Sequence, residues 1–542
     1  MYEMFSFKQD GKRNKFFLMV LFVFITIFTS QAKPTHFSKL SRAKTLSSSP
    51  CKDTLYPEAC QSLILSSKNE ITPTTVGDMF SLSLKSSIDQ AHATRSLAYN
   101  VTQMTQTMMS SNSHTHLDDC IELLDQSLDQ LSKIHMMSTS QDDIQTWLSA
   151  AITHQTICLD GFQNEKLSKE KANLDANLRN NIQHISNSLA LHKSLVVEQA
   201  KTLKGKGSRR LLSDDFPTWI SSKDRKLLET PIEDLETSAV VALDGTGTHK
   251  TISEAIAFVS LAGSGRKVIH VAAGTYSESS LKISLKQSNL MLVGDGKGRT
   301  VITGSKNAGD GSTTFNSATF GVAGDGFIAR DISFVNSAGP GGSQAVALRV
   351  TSDRSVFYRC SVHGYQDTLY TVSNRQFYRE TDIYGTVDFI FGNSAVVLQN
   401  CNILVQKYSE RCFITAQGRT DPNQNTGISI HKCKIQSSGG NCPTYLGRPW
   451  KTYSRTVVMQ SYLDGIINSA GWYPWSGGSS LSTLYYGEYS NTGPGASTSG
   501  RVKWGGYHPS MSSTEASKFT VANLISGNSW LPSTGVIFDA GL

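Results

Sequence analysis

At 542 residues the chain exceeds what one hydrophobic core usually organises, so at least two folding units are expected. A hydrophobic fraction of 39% with 18% charged residues excludes wholesale disorder. The formal net charge of +7 suits a polyanionic partner, but the basic residues are spread thinly rather than forming one stripe. Charge therefore permits an acidic polysaccharide and gives no ground for a nucleic-acid partner.

In chain order, Lys8, Lys12, Arg13 and Lys15 precede the apolar run Phe16 to Phe28 and the small residues Ser30 and Ala32. This pattern predicts an export signal over residues 1–32, cleaved after Ala32, with an uncleaved anchor as the alternative. The run is shorter than the about 20 residues a membrane helix needs. Export would permit disulfides, and an odd count of nine cysteines leaves at least one thiol unpaired within a monomer. The sequon Asn100-Val101-Thr102 makes Asn100 a candidate glycosylation site.

Residues 49–204 have few glycines and apolar residues at helical spacing, as in Ile121, Leu124, Leu128 and Leu131. A second helix runs through Trp147, Leu148, Ala151 and Ile152 and should stop at Asp160-Gly161, where glycine can turn left-handed. A helical bundle follows. Spacing alone leaves three pairings open for Cys51, Cys60, Cys120 and Cys158. Residues 205–234 form a basic linker with Arg209-Arg210-Leu211-Leu212 and Arg225-Lys226-Leu227-Leu228, expected to admit a processing protease because a flexible strand can enter a protease cleft.

Over residues 235–542 the texture changes to short apolar stretches punctuated by Gly, Asn, Asp and Ser, such as KVIHVAAGTY and FIARDISFVNSAG. Similar stretches recur roughly every 20 to 25 residues, which points to a stacked solenoid and best fits an all-β right-handed parallel β-helix. A β-sandwich would require closer turns.

In a solenoid, positions one coil apart lie about 4.8 Å from each other. Asp367 and Asp388 are one such period apart in sequence, and so are Gln344 and Gln366, so all four can line neighbouring strands of one face. Two carboxylates that close hold one proton between them near neutral pH, giving one acid and one base or nucleophile. By spacing alone, such a pair also fits a turn or a calcium site. No G-x-S-x-G elbow, zinc motif or complete phosphate loop is present. His363 lies one turn of sequence before Asp367, but strand alternation argues against a triad.

The stretch TWLSAAITHQTICLDGF (146–162), with the cysteine layout around it, resembles the pectin methylesterase inhibitor domain, a four-helix bundle. The resemblance implies the pairs Cys51–Cys60 and Cys120–Cys158. Further on, GYQDTLY (364–370), GTVDFIFGN (385–393) and LGRPW (446–450) look like plant pectinesterase signatures, and the likeness runs through 235–542. It implies an aspartyl esterase acting on methyl-esterified homogalacturonan (pectin) in the cell wall after secretion, without metal or organic cofactor. Asp388 would be the nucleophile, Asp367 the acid and then base, and Gln366 an oxyanion donor. Gln344 would join it, Arg448 would hold the nucleophile, and Thr314 and Trp450 would meet the sugar. Trp472 and Trp475 remain open as groove residues.

The helical unit would inhibit or chaperone a monomeric enzyme, and a separate inhibitor protein would be a further partner. The alternative readings are a non-catalytic pectin-binding or esterase-inhibitor protein, or a lyase or polygalacturonase on the same solenoid. The last two call for a calcium cluster or three clustered aspartates, and the sequence offers neither.

The chain departs from the family pattern in places. Thr381 stands where most relatives carry a cysteine one coil before Cys401. Cys360 is two coils away, about 9.6 Å by stacking and too far to bridge, so Cys401 is expected as a buried thiol. A Cys412–Cys442 bridge is expected, each cysteine just preceding a loop motif. Gly342 and Ser343 replace the usual Lys-His before Gln344.

Overall fold

The structure, a computed structural model, describes residues 50–204 and 231–542 apart from short gaps in each. The export segment and both dibasic motifs lie outside the described residues. Among the described residues no helix is long and apolar enough to cross a membrane.

The N-terminal part is helical: α1 Pro57–Ser66, α2 Val76–Met108, α3 His116–Met136, α4 Gln141–Asp160 and α5 Lys169–Lys204. The four longer helices pack side by side, α3 on α4 and α2 on α5. The buried stripe of α3 is Leu117, Cys120, Leu124, Leu128, Leu131 and Ile134, one face at i, i+3 and i+4 spacing. Ile121 lies at its margin, half-buried. Asn100 is exposed on α2, while the Thr102 hydroxyl of its sequon is buried and donates to the Ala98 carbonyl at 2.9 Å. Disulfides join Cys51 to Cys60 and Cys120 to Cys158, the second tying α3 to α4 with a Cα separation of 4.6 Å.

Ser140 opens α4 with a capping box: its hydroxyl accepts from the Asp143 amide, and the Asp143 carboxylate accepts from the Ser140 amide. The helix stops at Asp160, but not for the expected reason. Gly161 has φ −61° and ψ −17°, a right-handed conformation any residue adopts. What requires glycine is close approach, since a Cβ there would sit 3.1 Å from His116 Nδ1.

The C-terminal part forms three parallel sheets of 11, seven and eight strands, each visited once per coil. This is a parallel β-helix. The central coils are short: Asn402 pairs in register with Asp382, 20 residues back, and donates to its carboxylate at 2.7 Å. Elsewhere outward loops lengthen the coil, to 32 residues between the register partners Gln399 and His431. The residue after each of several strands of the 11-stranded sheet turns left-handed: Arg359, Glu380, Asn400, Lys432, Gln460 and Ser490 all have φ of 49° to 54°. One sharp corner is thus repeated coil after coil.

The residues following the first five of these corners form a buried ladder of Cys360, Thr381, Cys401, Cys433 and Ser461. The three cysteines are free thiols, and the Cys401 amide donates to Cys433 Sγ at 3.4 Å. Thr381 Oγ1 donates instead to the Phe357 carbonyl at 3.2 Å. A third disulfide joins Cys412 to Cys442. The C-terminal segment, with Phe519, Leu524 and Trp530, covers Val356, Phe377 and Val397 of the 11-stranded sheet. The seven-stranded sheet faces the helices.

Candidate active site

The seven strands of that sheet are β1 Leu281–Ile283, β2 Phe320–Val322, β3 Leu348–Val350, β4 Leu369–Thr371, β5 Ile390–Gly392, β6 Cys412–Gln417 and β7 Thr444–Pro449. Flanking residues such as Leu348, Val350, Leu369 and Ile390 point into the core. By alternation the residues between them face out. In register these make one row across the sheet: Lys282, Gly321, Arg349, Tyr370, Phe391, Ala416 and Arg448. Basic ends therefore flank an aromatic centre, where Tyr370 stacks on Phe391 at 4.1 Å.

Asp367 and Asp388 stand two positions before β4 and β5, on the same one-coil offset that pairs Leu369 with Ile390. The Asp367 amide donates to the Val387 carbonyl at 3.0 Å, locking the two coils together at the aspartates. Both residues are left-handed, with φ of 60° and 51°, a conformation that aspartate tolerates better than most side chains. The backbone thus aims both carboxyls out of the sheet.

Their surroundings differ. Arg448 grips Asp388 through two parallel bonds, Nε to Oδ1 at 2.8 Å and Nη2 to Oδ2 at 2.7 Å. Its guanidinium is itself held between the rings of Phe413 and Trp475, 4.3 Å from each centroid. Burial raises the pKa of both carboxyls; the Asp388 charge drives Asp367 further up, whereas Arg448 pulls Asp388 down through direct hydrogen bonds. Of the two, Asp367 is pressed harder toward the protonated form, while Asp388 is the one whose charge has a direct cationic partner.

All seven residues singled out in the sequence, Thr314, Gln344, Gln366, Asp367, Asp388, Arg448 and Trp450, line one cavity of about 350 Å³. Gln344 and Gln366 are half-buried at its wall, on consecutive coils linked by the bond from the Ala345 amide to the Gln366 carbonyl. Trp450 lies edge-on to Phe391 at 6.1 Å and rests on Gly418, where a Cβ would come within 2.8 Å of the indole. His363 is elsewhere, on the eight-stranded sheet, stacked on Tyr384 and bonded to Ser361.

Sequence reasoning leaves Trp475 undecided and misses Phe315, both of which line the cavity. Trp472, by contrast, is a core residue stacked on Tyr486. The signal for Trp475 lies in the bridge between Gly447 and Trp472, whose offset carries Trp450 onto Trp475 in the next coil.

The larger surprise is the opposite wall, built from Asp119, Leu123, Ile157 and Asp160 of α3 and α4. The helical bundle lies across the site. Leu123, Leu124, Leu159 and Phe162 pack into one apolar cluster with Phe315, Val346, Tyr370 and Phe391. Ion pairs frame it: Asp160 with Lys451 at 2.8 Å, Glu122 with Arg349 at 2.9 Å and Lys282 at 2.8 Å, and Asp143 with Arg354 at 2.6 Å and Arg375 at 2.7 Å. His154 is buried against Ser373 at 2.8 Å, and burial pushes its pKa down to about 3, so it bonds as neutral imidazole.

The pectinesterase family model matches residues 238–528, and the plant invertase/pectin methylesterase inhibitor model matches residues 45–191. The chain belongs to the pectinesterase family. It is 52% identical over 534 residues to the probable pectinesterase/pectinesterase inhibitor 35 of Arabidopsis thaliana, covering 97% of each chain. It is 48% identical to pectinesterase 2 of Citrus sinensis, over 91% of this chain and 94% of that one. Among solved structures it resembles the pectin methylesterase from carrot, at 54% identity and a TM-score of 0.56. That match covers 57% of this chain and 99% of the carrot chain, so the solved carrot chain has about the extent of the β-helix part alone.

Proposed function

We propose that this pectinesterase hydrolyses methyl esters of galacturonate in cell-wall pectin, releasing methanol, with Asp388 as nucleophile and Asp367 as acid and then base. The observation that carries this reading is the unequal environment of the two aspartates, one clamped by Arg448 and the other pressed toward the protonated form by burial and its neighbour. Ionised Asp388 attacks the ester carbonyl, and the oxyanion accepts N–H bonds from Gln366 and Gln344. Collapse transfers the Asp367 proton to departing methanol. Ionised Asp367 then takes a proton from water, the hydroxide attacks the acyl carbon, and Asp388 leaves as carboxylate. Thr314 and Trp450 position the sugar.

The helical domain acts as an inhibitor in cis, since α3 and α4 wall off a groove that a polymer must enter lengthwise. Cutting the 205–234 linker after secretion would let it leave. Glycosylation at the exposed Asn100 and a monomeric state belong to the same reading.

Methanol release and chain length on highly methylated pectin test the chemistry. Methanol without depolymerisation from wild type, and loss of release in Asp388→Ala and Asp367→Ala, are the expected results. Equal release from Asp388→Ala overturns the mechanism.

A further inference from the structure

The helical domain does more than obstruct: at two basic places beside the groove it presents carboxylates. Glu122 of α3 seats on Lys282 and Arg349 at one end of the outward row, and Asp160 of α4 seats on Lys451, three residues past Arg448 at the row's other end and next to Trp450. The row between these ends runs along the solenoid axis at about 4.8 Å per strand. A galacturonan lying along it carries one carboxyl per sugar, free or methylated, and only the free form is an anion.

The end sites are built rather than accidental. Arg349 is 4% exposed at its side chain. Its Nη1 donates to the Phe315 carbonyl at 3.0 Å and its guanidinium covers the Phe315 ring at 3.5 Å, which leaves Nη2 for a carboxylate. Gly321, between Lys282 and Arg349 in the row, keeps that space open, for a Cβ there would lie 2.9 Å from Arg349 Nη2. At the other end Lys451 Nζ lies 5.6 Å from the Trp450 ring, so a sugar stacked on the indole would bring its carboxylate to the ammonium.

We propose that Lys282 with Arg349, and separately Lys451, are subsites for free carboxylates of partly de-esterified galacturonan, and that Glu122 and Asp160 occupy them as mimics in the full chain. This rests on the esterase reading above for the identity of the polymer. A neutral methyl ester gains nothing from these cations, so the end sites read the esterification state of sugars remote from the one being hydrolysed.

The test uses residues 235–542 carrying Asp388→Asn, so that esters persist, and measures binding of a de-esterified and a fully methylated galacturonate oligomer by calorimetry. Lys282→Gln and Lys451→Gln should each weaken binding of the de-esterified oligomer about threefold to fivefold, as loss of a partly exposed ion pair does, and leave the methylated one within about twofold. Added salt should weaken the de-esterified oligomer in the parent more than in either variant. Lys518→Gln, on a C-terminal segment that packs against the 11-stranded sheet, should change neither.

Equal effects on both oligomers, or none, overturn the subsites, and so does the absence of the salt difference. Methanol release by the same domain with Asp388 intact reports separately. No release with charge-selective binding rejects the esterase reading alone, and release without selectivity rejects the subsites alone.

Discussion

Arg448 makes both of its short bonds to Asp388, at 2.8 and 2.7 Å, and none to Asp367, although the two aspartates occupy equivalent turns one coil apart. The strands supply two carboxyls in like positions, and a residue from a third coil makes them unlike. Lysine cannot form the parallel pair or lie flat between Phe413 and Trp475. Arg448→Lys should therefore lower kcat by about 100-fold, the scale of losing one fixed electrostatic contact to the reacting group. Steady-state kinetics on methylated pectin would reveal this, and an effect confined to KM would contradict it.

Asp367 also couples stability to pH. Its folded pKa is raised above the ordinary aspartate value of 3.8, chiefly by burial and then by Asp388, so the folded state binds the proton more tightly than the unfolded one. The stability this brings is complete below that value and is lost as pH rises through the elevated folded pKa. Asp367→Asn, which stays neutral, should raise Tm at neutral pH, with the gain vanishing in acid. Thermal melts across pH check the sign.

Asp143 behaves in the opposite sense. Burial opposes its ionisation, but Arg375 and Arg354 outweigh burial and hold its pKa below 3.8. Its contribution is present above that value and is lost as pH falls through the depressed folded pKa. Asp143→Ala removes one half of the capping box and a partner of the buried Arg375, and should destabilise the docked bundle by about 2–4 kcal/mol. The readout is faster proteolysis of the helical part together with more methanol released by the uncut chain.

Gly418→Ala places a Cβ within 2.8 Å of the half-buried Trp450 indole, which must shift to admit it. KM for pectin should rise about threefold or more with kcat little changed, since the chemistry at the aspartates is untouched. Indole fluorescence should shift in parallel.

Thr381 sits one coil before Cys401 in the interior ladder, each immediately preceding a member of the register pair Asp382 and Asn402. Adjacent coils at about 4.8 Å bring Cα atoms within disulfide range. Thr381→Cys should close a bridge to Cys401 under oxidising conditions and add about 3 kcal/mol, visible as the mass loss of a hydrogen pair and a higher Tm.

Much of the site is legible because in this fold spacing in sequence becomes position in space. Asp367 with Asp388 and Gln344 with Gln366 fall in coils of nearly constant length, so counting along the chain suffices. Trp475 lies beyond a longer coil, the one bridged from Gly447 to Trp472, and irregular length hides it. The Cys412–Cys442 bridge, expected from the loops, is present. The wall formed by α3 and α4 cannot be counted at all. Its pairs, such as Lys451 with Asp160, join positions far apart in sequence and depend on how two folded parts pack, which no local pattern encodes. Gly161 is the small instance: the stop is where the sequence places it, but the glycine there is right-handed, and it is crowded by His116 from another helix.

The bond from the Asp367 amide to the Val387 carbonyl has one more consequence. The spacing of the Asp367 and Asp388 backbones is a rung of the sheet, a length fixed by the backbone itself and repeated above and below the site. Trp450 and Trp475 lie outside this rung, so a shift of either indole would change the width of the groove without detuning the pair. Substrate traffic and proton sharing are mechanically insulated from each other.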